Sequence, residues 1–497
     1  MFKDSTVAEI EILMQQAWLA FHDYRKKSLK QRAGFMRQVA KEIEQLGDEL
    51  IHTAMLETNL PETRLRGEKA RTIFQLNSYA AFCESGQWLD ARIDTAISDK
   101  IPPKPDIRKM LVPLGPVVVF GASNFPFAYS TAGGDTACAF AAGCPVIVKA
   151  HPAHAKTSEL MANAIKKAVT ETHMPASVFT HVHGASFDIG EALVKHPFTK
   201  AVGFTGSYAG GKQLFDWGNQ RKEPIPVFAE MGSVNPFFLL PEKMKTGAID
   251  AAKQLAVSIT LGAGQFCTNP GIIIGISNKD LEKFIQHLSD EINLVSPAPM
   301  LHPGIHKNYI EKRATALSQP EVETMAMVEE PGSQLAGTAA IAYTSATNFL
   351  INPLLQQEVF GPYSIVIGCR DMLEMKAVAE KMEGQLTATI MATENEIPAN
   401  DSLVESIKNI CGRLILNGVP TGVEVCLSMQ HGGPFPASTD SRFTSVGADG
   451  IRRFARPVAF QNWPDHLLPD ELKNNNPLQI WRTIDNIPSK DRVTKTG

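Results

Sequence analysis

Apolar positions in residues 5–80 recur every three or four residues, which is the period of an amphipathic helix. Ser28 and Gln31 form a capping-box pattern at the start of one such helix, and Gly47 interrupts its apolar face. Pro61 opens the next helical stretch. No pattern with catalytic potential accompanies these positions, so the sequence predicts a helical scaffold for this segment.

From Leu114 onward, short apolar runs alternate with helical patterns. The runs at 116–120, 145–149, 178–182 and 201–205 are predicted strands, and 133–142, 157–170, 189–195 and 212–217 are predicted helices. Repeated strand–helix units indicate an α/β fold with a doubly wound parallel sheet. Such sheets bind ligands beyond the carboxyl ends of their strands.

A second α/β region follows, with predicted strands at 236–240, 272–275, 364–367, 387–392 and 413–417. The proline-rich segment 101–105 cannot be helical, and 107–112 is a predicted exposed strand. The tail segment 457–461 is a predicted edge strand that pairs with this arm or with another chain. The expected organisation is a dinucleotide-binding domain (1–94 and 114–229), a catalytic domain (230–455) and a small β oligomerisation element (95–113 and 456–497). A homodimer or homotetramer is expected.

Composition narrows the function classes. The 497 residues are 44% hydrophobic and 20% charged, with a net charge of −4, so nucleic acid and anionic membranes are not expected partners. The weakly polar run 132–148 contains Asp135, Gly143 and Pro145 and is interpreted as a helix and a strand, not a membrane span. Seven cysteines without C-x-x-C spacing indicate neither disulfides nor a metal site. With no apolar signal core at the start, a cytoplasmic location is expected.

Cys267 is the candidate nucleophile. It lies in the loop 264–271, which has glycine at both ends and stands between a predicted helix at 248–261 and an apolar strand. A thiol on such a loop can be approached closely by a ligand. The other six cysteines lie in apolar or helical contexts, where a buried structural role is expected.

Two acids and an amide are further catalytic candidates. Glu230 ends the apolar run 227–230, where a raised pKa would suit a general base, although a surface glutamate is the alternative. Asn124 follows the first strand of the sheet and could donate to an oxyanion or cap a turn. Glu358 lies before a Gly-Pro turn.

The candidate cofactor residues lie at strand ends. Gly206 and Gly211 flank a strand-to-helix turn that could accept a pyrophosphate or be an ordinary tight turn. Lys149 could reach a ribose or phosphate, or be solvated. No acid follows it, so NADP stays open beside NAD, with His151, Lys149 or Lys156 as partners of a 2′-phosphate.

Together these motifs resemble the aldehyde dehydrogenase superfamily over nearly the whole chain. They stand in the family's order as Asn124-Phe125-Pro126, Lys149, Gly203-Phe204-Thr205-Gly206-Ser207, Glu230-Met231-Gly232, Gly264-Gln265-Phe266-Cys267 and Glu358-Val359-Phe360-Gly361-Pro362. The resemblance implies Cys267 as nucleophile, Glu230 as base and Asn124, with the Cys267 N–H, as oxyanion donor. It also implies ribose contacts from Lys149 and Glu358, a pyrophosphate contact from Ser207, a nicotinamide wall at Phe360, and an aldehyde entrance at Tyr129, Phe266 and 425–429, including Met429.

Departures from the common family pattern resemble one branch. They are Met231-Gly232-Ser233, Lys149-Ala150-His151, 431–436 and 441–447. That branch contains α-ketoglutaric semialdehyde (2,5-dioxopentanoate) dehydrogenases, which the resemblance favours, and an NADP-dependent long-chain fatty aldehyde dehydrogenase. Arg108, Arg442, Arg452 and Arg453 are possible partners of a substrate carboxylate, although each could be a surface or structural residue. One alternative is a CoA-acylating or acyl-phosphate reductase, and Glu230 argues against it because such enzymes need no base that activates water. The other alternative is a non-catalytic scaffold, and the intact Cys267, Glu230 and Asn124 argue against it.

Overall fold

The computed structural model describes residues 2–329 and 335–494. Its α-helices are α1 (Val7–Tyr24), α2 (Leu29–Gln45), α3 (Gly47–Thr58), α4 (Glu62–Ser85), α5 (Gly134–Ala142), α6 (Ala155–Glu171), α7 (Phe187–Lys195), α8 (Tyr208–Asn219), α9 (Pro241–Thr260), α10 (Lys279–Asn293), α11 (Pro303–Leu317), α12 (Ala346–Ile351), α13 (Met372–Lys381), α14 (Glu396–Ala399) and α15 (Asp401–Ile410). The predicted capping box of α2 is present, since Ser28 and Gln31 exchange hydrogen bonds.

The strands fall into two large sheets and smaller ones. They are β1 (Arg92–Asp94), β2 (Ile107–Pro113), β3 (Val117–Phe120), β4 (Val146–Lys149), β5 (Phe179–Val182), β6 (Ala201–Thr205), β7 (Val227–Glu230), β8 (Phe237–Leu239), β9 (Ile272–Ile276), β10 (Ala298–Pro299), β11 (Glu323–Met327), β12 (Ala336–Gly337), β13 (Ala340–Ser345), β14 (Tyr363–Cys369), β15 (Gln385–Met391), β16 (Cys411–Leu416), β17 (Ala455–Gln461), β18 (Arg482–Ile484) and β19 (Ile487–Ser489).

The first large sheet is parallel, with the order β5-β4-β3-β6-β7. Its central strand β3 is buried along its whole length, as expected for a strand covered by helices on both faces. The small residues of α5 are buried against the sheet, so this helix packs closely. The doubly wound parallel sheet predicted from the sequence is therefore confirmed.

The second large sheet has the order β11-β13-β14-β9-β8-β15-β16 and is parallel except for β11. Ile272, Ile273 and Ile274 of β9 are almost fully buried in its centre. Because β9 directly follows the loop that carries Cys267, this rigid strand anchors the loop.

The arm and the tail form the small sheet β17-β2-β1-β18-β19. Strand β17 runs antiparallel to β2, with Val458 opposite Met110. The tail strand therefore pairs with the arm, which confirms one of its two predicted partners. The oligomer expected for this element stays a prediction.

Two large sheets meet around one cleft. Residues 437–439 bind the edge strand β7 of the first sheet, since Met231 N donates to Ala437 O at 2.8 Å and Thr439 N donates to Ala229 O at 3.0 Å.

Within 2–329 and 335–494, no helix combines the length and apolarity that crossing a membrane would require.

Candidate active site

The loop of Cys267 has a tightly constrained backbone. Gly262, Ala263 and Gly264 have φ of 55°, 54° and 65°, in the left-handed region that favours glycine. A Cβ on Gly264 would lie 2.3 Å from the carbonyl carbon of Gly361, so only glycine permits this approach. Nδ2 of Asn235 donates a hydrogen bond to the carbonyl of Cys267 at 2.9 Å and thereby holds the loop in place.

Cys267 meets a glutamate and a histidine. The Nε2 atom of His431 lies 3.0 Å from Oε1 of Glu230 and 3.5 Å from Sγ of Cys267. One donor atom from each residue lies within 4.8 Å of the other two. The hydroxyl of Ser445 donates to Oε2 of Glu230. His431 and Glu230 are 0% and 3% exposed in their side chains, so water screens their interaction poorly.

The charge states of this cluster differ from the sequence expectation. Burial acts to raise the pKa of Glu230, but the charge and hydrogen bond of His431, and then Ser445, outweigh it and hold the pKa below its ordinary value. The prediction of a raised pKa for Glu230 is therefore wrong, because the sequence did not show its histidine partner. Burial, followed by the negative charge of Glu230, holds the pKa of the Cys267 thiol well above its ordinary value. The resting pair is thus a thiol beside a carboxylate.

Asn124 is buried and lines the same cleft as Cys267. Its Nδ2 donates one hydrogen to the carbonyl of Gln265 at 3.1 Å. The amide has two N–H groups, so the second stays available for an oxygen on the reacting carbon. The hydrogen bond to Gln265, two positions before Cys267, fixes the orientation of this amide.

The other half of the cleft is suited to a dinucleotide. Ser207 is the N-cap of α8, whose free N–H groups and positive dipole end favour a phosphate. Gly206, Ser207, Glu358 and Phe360 line the cleft together with Cys267. A Cβ on Gly232 would lie 2.6 Å from Oε2 of Glu358, so glycine at this position leaves the carboxylate in place. Because a cap, a carboxylate and a glycine-lined opening occur together, these residues fit NAD(P).

Three predicted cofactor residues lie elsewhere. Gly211 is inside α8, where a Cβ would meet Met231 at 2.6 Å, so this glycine serves the packing of α8 on the sheet. The Nδ1 of His151 accepts from Ala153 N, and burial holds its pKa well below the ordinary value, which opposes the positive charge expected of a phosphate partner. Lys149 ends β4 as predicted and is largely buried, which lowers its pKa.

Of the three predicted entrance residues, Tyr129 lines the cleft together with Cys267. Phe266 packs on a lining residue, since its ring and that of Phe125 meet edge to face at 5.6 Å. Met429 packs on the apolar core. Helix α4 also reaches this region, because Arg64 and Arg71 contact Asn124 and Tyr129. The helical scaffold predicted for residues 5–80 therefore contacts the site through α4.

The four arginines proposed from the sequence as carboxylate partners are engaged elsewhere. Arg108 binds Asp106 and the Leu472 carbonyl in the small sheet. Arg442 and Arg452 pair with Asp440 and Asp449, and Arg453 pairs with Asp135. Each of these cations already has a carboxylate, so the structure favours the surface or structural alternative for all four. Arg64 and Arg71 of helix α4 instead contact residues that line the cleft.

His431 is the functional residue that sequence reasoning missed. It stands in the segment 431–436, which marked the branch, but no spacing connects it with a cysteine 164 positions earlier. A histidine followed by Gly432-Gly433-Pro434, and therefore fixed in a loop, was the available signal.

The comparisons with known proteins agree with this geometry. The model of the aldehyde dehydrogenase family matches residues 1–436. The chain is 46% identical to α-ketoglutaric semialdehyde dehydrogenase 2 of Azospirillum brasilense over 96% of this chain and 91% of that protein. It is 43% identical to α-ketoglutaric semialdehyde dehydrogenase of Acinetobacter baylyi over 98% and 93%.

Solved structures share the fold at low identity. One is a betaine aldehyde dehydrogenase mutant from Staphylococcus aureus in complex with NAD⁺, at TM-score 0.78 and 17% identity over 93% of this chain and 90% of that chain. Another is a 1-pyrroline-5-carboxylate dehydrogenase mutant from Thermus thermophilus, at TM-score 0.77 and 20% identity over 92% and 86%.

Proposed function

The chain belongs to the aldehyde dehydrogenase family, and we propose from this premise that it oxidises 2,5-dioxopentanoate (α-ketoglutaric semialdehyde) to 2-oxoglutarate. The chemistry is supported above all by the contact of Cys267, Glu230 and His431 in one buried cluster. The substrate is supported by two relatives at 46% and 43% identity that carry the name of this activity.

The first step is attack by sulfur on the aldehyde carbon. The thiol must lose its proton, and the Glu230 carboxylate, which His431 and Ser445 hold in its charged form, can accept it. Nε2 of His431 lies 3.5 Å from Sγ and stabilises the negative charge that is left on sulfur. A C–S bond then forms, and negative charge develops on the aldehyde oxygen. The free N–H of Asn124 and the backbone N–H of Cys267 face that charge, and one such donor contributes about 3–4 kcal/mol.

Bound NAD(P) supplies the hydride acceptor that converts the thiohemiacetal into a thioester. Glu230 then acts on water. Because its pKa is held low, it is a carboxylate at neutral pH and can accept the proton as the oxygen attacks the thioester carbon. The C–S bond breaks, the acid is released and the sulfur regains a proton. A carboxylate in this position supports hydrolysis rather than transfer of the acyl group to CoA or phosphate.

Four parallel assays test the substrate and the cofactor together. Purified enzyme receives 2,5-dioxopentanoate or dodecanal, each with NAD or NADP, and reduced cofactor is followed at 340 nm. We expect kcat/KM to be higher for the dicarbonyl acid by at least about tenfold, the effect of one good charged hydrogen bond. A higher value for dodecanal would instead assign the enzyme to long-chain aldehydes. The NAD-to-NADP ratio decides the cofactor preference.

Cofactor binding is expected to depend on the ionisation of Glu358. Burial raises the pKa of this carboxyl group to about 7, and the nearby Lys312 lowers it less strongly. The group is protonated below that pH and becomes an acceptor for two ribose hydroxyls above it. The KM for cofactor should therefore fall as pH rises from 6 to 8. In Glu358→Gln, the KM for cofactor should be higher than in the wild type and constant from pH 6 to 8. A variant whose KM still falls with pH as it does in the wild type would contradict the assignment.

A further inference from the structure

Two arginines of helix α4 contact residues that line the cleft. Arg64, Glu68 and Arg71 stand at positions i, i+4 and i+7 and therefore share one face. Arg64 donates Nη2 to the backbone carbonyl of Asn124 at 2.7 Å. Arg71 donates Nη2 to the hydroxyl of Tyr129 at 3.3 Å. Both guanidinium groups are thus attached to residues that line the site.

Arg64 lies within the aromatic wall. Its guanidinium carbon is 4.7 Å from the ring centre of Phe125 and 4.6 Å from that of Phe266, the residue that precedes the nucleophile. Its Nη1 lies 3.1 Å from the position that a Cβ on Gly262 would take, at the start of the Cys267 loop. The planar cation is therefore held between two rings, with one edge directed to the loop of the nucleophile.

A third arginine approaches from the second large sheet. Arg413 of β16 donates Nη1 to the carbonyl of Gly422 at 3.2 Å and Nη2 to that of Pro420 at 2.6 Å. Arg71 donates Nη1 to the carbonyl of Val423, so Arg413 and Arg71 bind the same segment, residues 420–423.

One nitrogen atom of each of these guanidinium groups lacks an acceptor. Among residues 2–329 and 335–494, Nη1 of Arg64, Nε of Arg71 and Nε of Arg413 are buried without a hydrogen-bond partner. Within the same residue ranges, none of the three arginines has a carboxylate oxygen within 4.0 Å of its guanidinium group. A buried N–H group without an acceptor lowers the free energy of unfolding, so a ligand that supplies the acceptor is stabilised.

The buried carboxyl group between them does not neutralise the set. Oε1 of Glu68 is occupied by the backbone N–H groups of Phe127 and Ala128 at 2.8 and 3.0 Å. One glutamate thus stands against the two arginines of α4, which leaves positive charge next to Asn124 and Tyr129.

We propose that Arg64, supported by Arg71 and Arg413, binds the carboxylate of the substrate while its aldehyde lies against Cys267. This subsite rests on the proposed oxidation of 2,5-dioxopentanoate. Four C–C bonds of about 1.5 Å give that acid a span of roughly 5 Å between its two ends. Arg64 binds the main-chain carbonyl of Asn124, and the side chain of the same residue is the oxyanion donor. A single residue therefore connects the cation with the donor.

The test compares an acid with a neutral aldehyde of equal length. The kcat/KM values for 2,5-dioxopentanoate and pentanal are measured for wild type, Arg64→Met and Arg71→Met. Loss of Arg64 should lower the ratio of the two values by about 10- to 100-fold, as expected for a hydrogen bond to a charged group. Arg71→Met should lower the ratio less. Arg66→Met is the matched control, because Arg66 lies on the same helix, half exposed, and pairs with Asp48 and Glu62; its ratio should equal the wild-type ratio.

Two results decide whether Arg64 binds the substrate carboxylate or only maintains the structure, and whether a failure lies in the subsite or in the proposed substrate. Equal losses on both aldehydes in Arg64→Met would make Arg64 a structural residue and overturn the proposal; Arg64→Lys, which keeps the charge, serves if the methionine variant does not fold. If the wild type does not prefer the dicarbonyl acid, the substrate proposal fails, and glutarate then tests the subsite alone. Competitive inhibition of pentanal oxidation by glutarate that Arg64→Met weakens tenfold or more would support the subsite. Inhibition equal in both enzymes, or none, would overturn it.

Discussion

Replacement of Cys267 by alanine should lower kcat for aldehyde oxidation by about 10⁴-fold or more, because no covalent intermediate can form without the sulfur. Neither Glu230 nor His431 can substitute for it. The carboxylate is stabilised by His431 and Ser445, and the imidazole lies 3.0 Å from that carboxylate. Steady-state formation of reduced cofactor measures the loss, and cofactor binding, followed by quenching of protein fluorescence, should persist because Glu358 and Ser207 are unchanged.

Cys411→Ala is the matched control for that experiment. Cys411 is a half-buried thiol at the start of β16, and burial likewise raises its pKa, to about 11. The control should retain wild-type kcat and should still lose activity on treatment with iodoacetamide in the absence of substrate. Aldehyde oxidation at more than a few per cent of the wild-type rate in Cys267→Ala would remove Cys267 from the role of nucleophile.

The large sheets could be predicted from the sequence because parallel strands covered on both faces are short uninterrupted apolar runs. Val117–Phe120 and Ile272–Ile274 are such runs, and both are strands in the structure. The loop of Cys267 was also predictable, since glycine at 264 and 271 marks a turn directly before a strand. Local patterns of this kind need no knowledge of tertiary contacts.

The surroundings of the nucleophile could not be predicted in the same way. Arg64 and Arg71 are ordinary surface-type residues in a helical pattern until the packing of α4 places their face at the cleft. His431 approaches Cys267 only through the loop that binds β7. The pKa of Glu230 depends on that histidine, so the direction of its shift follows from tertiary structure and not from the apolar run that precedes it.

Local sequence explains the ion pairs of two of the candidate arginines. Arg442 and Arg452 each stand two or three positions from an aspartate in the sequence, and the structure pairs them with those residues. A nearby acid does not decide the outcome by itself, because Arg64 stands between Glu62 and Glu68 in the sequence. Glu62 pairs with Arg66, and Glu68 accepts from backbone N–H groups. Tertiary packing therefore decides which arginine stays available for a ligand.

Replacement of Glu230 by glutamine should separate oxidation from hydrolysis. The amide cannot accept a proton from water, so the thioester on Cys267 accumulates and steady-state kcat falls by about 10²- to 10⁴-fold. His431 remains 3.5 Å from the sulfur in the native arrangement, so deprotonation of the thiol does not depend on the carboxylate alone. Stopped-flow traces should therefore show a burst of reduced cofactor near one equivalent per active site, followed by slow turnover.

The trapped thioester is directly observable, which distinguishes this result from a general loss of structure. Acid-quenched Glu230→Gln should carry a single acyl group on the peptide that contains Cys267, detected by mass spectrometry, whereas wild type should carry little. Glu242→Gln is a suitable control, because Glu242 is an exposed partner of Lys245; it should give wild-type turnover and no accumulated adduct. Full steady-state turnover without a burst in Glu230→Gln would mean that another group activates water. Hydrolysis would then have to be assigned to His431, whose Nε2 lies 3.5 Å from the sulfur.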